Sequence, residues 1–68
     1  MPSIKITTAS LNEEAKTDLV KSITASVHSA TQIPVEYIHV IFDIVGDDNY
    51  AVGGQTVREI KMLSTKKQ

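Results

Sequence analysis

The period of the apolar residues changes twice along this chain, and that change limits the folds open to it. From about Glu13 to Thr31, Ala15, Leu19, Val20, Ile23, Val27 and Ala30 recur at helical spacing, with Lys16, Asp18, Lys21 and Ser22 between them. This predicts one amphipathic helix of about five turns. On its N-terminal side "SIKIT" alternates, with Ile4 and Ile6 on one face and Ser3, Lys5 and Thr7 on the other, the period of a half-buried strand. On its C-terminal side comes "YIHVIFDI", rich in β-branched and aromatic residues. There Ile38, Val40, Phe42 and Ile44 form a fully apolar face, and Tyr37, His39, Ile41 and Asp43 a mixed one. A strand, a long helix and a second strand predict a βαβ unit with parallel strands and a right-handed crossover. The apolar face of the second strand is expected against the helix.

Local signals mark the boundaries. "TASLN" turns the chain into the helix, and either Ser10, with Glu13 three residues on, or Asn12 is placed to cap it. Asn12 is the better fit, since Glu13 and Glu14 then fall in the first turn, where carboxylates complement the helix dipole. Pro34 in "QIPVE" bars helix continuation. "VGDDN" reads as a turn that accounts for the adjacent Asp47 and Asp48. "YAVGGQTV" reads as a small hairpin, with Gly53 and Gly54 supplying the positive φ of a two-residue turn. The tail from 59 to 68 is open to two readings, a short helix or a frayed end, and its three lysines read as solvated. No linker interrupts the 68 residues, which form one domain of the α+β class.

Such a domain is too small to stand on its own core, because a chain of this size buries only about 60% of its unfolded surface. Lacking cysteine, it has neither a disulfide nor a thiolate metal site to compensate, which leaves self-association as the remaining support. The mixed face of Tyr37, His39 and Ile41 is too apolar to be left wholly in water, and is expected against another copy of the chain. A formal charge of −1 gives no basic field for nucleic acid or an anionic membrane. No apolar run approaches the roughly 18 residues of a membrane span, and the N-terminus shows no signal-peptide region, so the cytoplasm is the default expectation.

Most catalytic constellations are missing. His28 and His39 lie eleven residues apart with no cysteine, which fits no zinc spacing, and the Gly53-Gly54 pair lies in a hairpin instead of a phosphate loop. Nothing calls for a metal or cofactor. What remains is Pro2, directly before the first strand. Proline suits the first position of a strand, where no ladder donor is required. If Met1 is removed, however, the ring nitrogen becomes a secondary amine able to take a proton.

Met-Pro followed by an alternating strand, a long helix, "IPVEYIHVIFDI" and "NYAVGGQTV" resembles the 4-oxalocrotonate tautomerase family across about residues 2 to 58. The resemblance implies a βαβ subunit with a C-terminal hairpin, assembled as a homohexamer or related oligomer. It implies removal of the initiating methionine and a tautomerase in which amino-terminal Pro2 is the general base for an enol or unsaturated oxo acid. The family's aromatic residue before the hairpin corresponds to Tyr50, which is open to a role in the site or at a subunit contact. Where the family's best-studied members place two substrate-binding arginines, this chain has Leu11 and His39. Leucine binds no anion, and histidine lacks the fork of arginine. The one arginine, Arg58, is placed either to supply a substrate cation from a neighbouring subunit or to pair with a surface carboxylate. Three functions remain open: a Pro2 tautomerase, an enzyme using Pro2 for iminium or hydratase-type chemistry, and a catalytically silent oligomeric homologue with a structural or ligand-binding role.

Overall fold

The computed structural model describes residues 1–66, with side chains as far as Leu63. Its elements run in the order β1 (Ser3–Thr8), α1 (Glu13–Thr31), β2 (His39–Ile44), β3 (Ala51–Val52), β4 (Gln55–Thr56) and α2 (Val57–Lys66). β1 and β2 pair in parallel, from Ser3 opposite His39 to Thr8 opposite Ile44. The expected βαβ unit is therefore present, with α1 packed on β2. No helix among the described residues is long and apolar enough to cross a membrane.

Asn12 is the cap of α1: its side-chain oxygen accepts from the Ala15 N–H at 2.8 Å, and Glu13 and Glu14 fill the first turn. At the other end Gln32 adopts the left-handed conformation (φ 62°), and its N–H donates to the His28 carbonyl at 2.8 Å. This closes the helix where glycine is more usual. His28 is exposed beside it and its Nδ1 contacts the Ile33 carbonyl oxygen at 2.7 Å.

β2 begins two residues later than "YIHVIFDI" implies. Pro34 holds ψ at 141° and opens a single 3-10 turn over Val35–Tyr37, closed by the Tyr37 N–H to the Pro34 carbonyl. Tyr37 thus sits in that turn instead of on the strand. The apolar face meets the helix as expected over Ile38, Val40 and Phe42, while Ile44, at the strand end, stays exposed. The other face carries Ser3, Lys5 and Thr7 beside His39, Ile41 and Asp43, with Lys5 and Asp43 paired across it at 3.8 Å.

Glycine decides the hairpin: Gly53 and Gly54 have φ of 61° and 86°, the pair of positive values that a two-residue turn matching strand twist requires. Residues 67–68 lie outside the described residues, and the tail as far as Lys66 belongs to helix α2. Its start is a reciprocal cap, the Glu59 carboxylate accepting from the Thr56 N–H at 2.9 Å and the Thr56 hydroxyl accepting from the Glu59 N–H at 3.2 Å. Lys61, one of the three tail lysines, is exposed as expected and from there donates to Asp47 and Ser10. Lys66 and Lys67 fall outside the described side chains.

Among the described residues only Ala9 and Ile38 are buried, and none has a fully enclosed side chain. One sheet face meets one helix stripe, and on the other sheet face Ser3, Lys5, Thr7, His39 and Ile41 are exposed.

Candidate active site

β1 begins at Ser3, so Pro2 stands at the strand's entrance, half-buried on the side of Ile4 and Ile6. Its carbonyl accepts from the His39 N–H at 3.0 Å, a bond that fixes the first residue of β2 beside it. Proline donates nothing to this ladder, which is why it is tolerated here. His39 points to the opposite sheet face from Val40 and is exposed, beside Ser3.

The other candidates lie elsewhere. Leu11, half-buried, lines an open depression of about 510 Å³ with Ser10 and Asn12, past the C-terminal end of β1. Tyr50, also half-buried, precedes β3, and its carbonyl accepts from the Val57 N–H at 2.8 Å. Arg58 opens α2 and donates through Nε and Nη2 to the two carboxylate oxygens of Asp48, the latter at 3.0 Å. A strand residue advances the chain by about 3.3 Å, so the six residues of β1 separate Pro2 from the Leu11 loop by roughly 20 Å. Within one chain the candidates divide into two groups, Pro2 with His39 and Leu11 with the hairpin end.

The charges at the hairpin end follow from the 46–49 turn, closed by the Asn49 N–H to the Gly46 carbonyl at 3.2 Å. Hydrogen bonding from Lys61 holds the Asp47 carboxyl below its ordinary value against some desolvation, and that from Arg58 does the same for Asp48. Arg58 is raised in return, chiefly by Asp48. From sequence the two aspartates read as a turn, and the pairing of Arg58 with a surface carboxylate, here Asp48, is one of the alternatives; Lys61 as the partner of Asp47 is missed. The available signals were the T-x-x-E spacing of Thr56 and Glu59, which announces a helix, and the three-residue spacing of Arg58 and Lys61 on it.

A model of the Tautomerase family, described as tautomerase enzyme, matches residues 2–60, nearly the whole chain and starting at Pro2. The chain belongs to this family. Among solved structures it is similar to TomN, a 4-oxalocrotonate tautomerase homologue of the tomaymycin biosynthetic pathway, at 27% identity and TM-score 0.79, covering 90% of this chain and 95% of that one. The 4-oxalocrotonate tautomerase homologue TTHB242 is 28% identical with a TM-score of 0.78, over 87% and 95% of the two chains. DmpI from Helicobacter pylori is 27% identical with a TM-score of 0.72, over 85% and 98%. No curated protein matches in sequence. The α+β fold of this Tautomerase-family chain is thus that of the 4-oxalocrotonate tautomerase homologues.

Proposed function

We propose that the chain, after loss of Met1, is a tautomerase in which the Pro2 amine moves a proton within an enol or unsaturated oxo acid. The observation that carries this reading is the family match beginning at Pro2, together with the half-buried setting of that residue at the head of β1. Partial burial disfavours the charged ammonium and brings a secondary amine toward the range where it serves as a base at neutral pH. The amine removes the proton from one position of the substrate, a delocalised enolate carries the charge, and the same proton is returned to another carbon.

In this reading His39, whose backbone N–H pairs with the Pro2 carbonyl while its side chain lies on the other sheet face, donates one hydrogen bond to a developing enolate oxygen at the strand entrance. Tyr50 and Leu11 reach the site from other copies of the chain, Tyr50 adding an apolar wall and a hydroxyl donor, Leu11 an apolar wall alone. A homohexamer or related oligomer, supported by the exposed Tyr37 and Ile41 and by the thin core, brings the two groups together. Arg58 joins them only by giving up Asp48. The substrate is accordingly a small enol or oxo acid less acidic than a dicarboxylate.

A silent oligomeric homologue is the second reading, favoured by Leu11 and His39 standing where the family's best-studied members have arginines. The deciding experiment follows proton transfer in a panel of small enols of oxo acids by ultraviolet absorbance. Turnover that falls at least tenfold in Pro2→Ala, about 1.4 kcal/mol of barrier, supports the base; turnover that survives removes it, and no turnover with any enol favours the silent homologue. Borohydride trapping of a carbonyl compound on Pro2 would move the assignment to iminium chemistry.

A further inference from the structure

The hairpin and α2 leave the βαβ unit as an arm. The chain measures 46 × 22 × 18 Å and has a radius of gyration of 15.6 Å, against about 11 Å for a compact domain of this length. Its accessible surface is 5094 Å², where a compact 7.4 kDa monomer exposes about 4,200 Å². The excess of roughly 900 Å² matches one partner's share of a standard stable interface, about 800 Å². Three of the nine large apolar side chains exposed among the described residues are on the arm: Val52 of the hairpin is 58% exposed, Met62 54% and Leu63 48%.

Among the described residues, charged contacts tie the arm to the rest of the chain. Asp47 and Asp48, consecutive in the 46–49 turn, face Lys61 and Arg58, one turn apart on α2. Lys61 Nζ donates to Asp47 Oδ2 at 3.0 Å and to Ser10 Oγ at 3.1 Å. The Arg58 backbone N–H donates to the Asp47 carbonyl at 3.2 Å, beneath the two-point grip of its guanidinium on Asp48. The turn is itself tied to the end of β1, through Val45 N–H to the Thr8 carbonyl and Gly46 N–H to the Ala9 carbonyl. Isolated surface ion pairs contribute little, but a forked arginine pair within a network is the exception.

We propose that Asp47 and Asp48 form an ionic latch that sets the pose of the arm, and that the posed arm presents Val52, Met62 and Leu63 to a second copy of the chain. The inference rests on the oligomer reading above and adds what orients the contact. A second copy is the occupant because the described residues hold only a thin core and the exposed excess is close to one partner's share of a standard contact.

Sedimentation velocity of the full chain at micromolar concentration tests this. Wild type is expected as an oligomer, and Arg58→Asp, which sets two carboxylates against each other, is expected to raise the dissociation constant about tenfold or more. Exchanging the charges in Asp48→Arg with Arg58→Asp is expected to restore assembly. Should Arg58→Asp fail to fold by circular dichroism, Arg58→Gln is expected to weaken assembly in the same direction. Met62→Glu, with the latch intact, is expected to block assembly without loss of helix. Assembly unchanged in the Arg58 variants, or unrestored by the exchange, overturns the latch; unchanged assembly of Met62→Glu overturns the surface. A wild-type monomer overturns the oligomer reading and this inference together.

Discussion

The His39 N–H donates to the Pro2 carbonyl at 3.0 Å, so the residue proposed as base and the polar residue that opens β2 are held together by the sheet itself. The ladder fixes their backbones, and the His39 side chain remains exposed on the face shared with Ser3. Substitutions at His39 therefore change chemistry with little disturbance of the pairing.

His39→Arg is expected to shift preference toward acidic substrates. A guanidinium offers a permanent charge and a fork that matches a carboxylate, where imidazole offers a single donor. The ratio of kcat/KM for a dicarboxylate over a monocarboxylate enol is expected to rise about threefold or more, in line with a charge-assisted hydrogen bond. An unchanged ratio would mean that position 39 faces away from the substrate.

Asn12→Ala is expected to cost about 1 kcal/mol, because the Ala15 N–H loses its partner. Urea denaturation at fixed protein concentration reads the change, with Asn12→Ser expected to retain most of the stability.

At the hairpin, Gly53→Asn is expected to be tolerated and Gly53→Val to be destabilising. No atom lies within 4 Å of a Cβ at this position, so the discriminating factor is φ of 61°, which asparagine accepts and a β-branched residue resists. Comparable melting temperatures for the two variants would argue against the assigned turn.

Acid is expected to loosen α2. Asp47 and Asp48 are held below the ordinary value of 3.8, so their contribution is fully present above that pH and is lost as pH falls through their lower folded values. Hydrogen exchange of α2 backbone amides, corrected for intrinsic rates, is expected to be steady from neutrality to about pH 4.5 and to accelerate below the carboxylate range. Acceleration that begins near neutrality would point to another group.

The parts of the fold governed by local chemistry were legible in the sequence. Alternation placed Ile4 and Ile6 inward, helical spacing bounded α1 at Glu13 and Thr31, and Gly53-Gly54 announced the hairpin. Tyr37 was misplaced because Pro34 governs the three residues after it more strongly than their β propensity does. The pairs Asp47 with Lys61 and Asp48 with Arg58 join residues ten or more positions apart. No periodicity reports such contacts. Pro2 is proposed for a different reason: if Met1 is removed, its ring nitrogen becomes a secondary amine, a chemistry that no interior proline has. The division of Leu11, Tyr50 and Arg58 from Pro2 was not legible, since it follows from the length and direction of β1.

Every step of the proposed chemistry requires a free amine on Pro2. The intact mass of the untagged chain purified from its natural host measures that condition directly. The account expects a mass one methionine residue below that of the 68-residue sequence. A mass that retains Met1 leaves the ring nitrogen an amide and contradicts the use of Pro2 as a base.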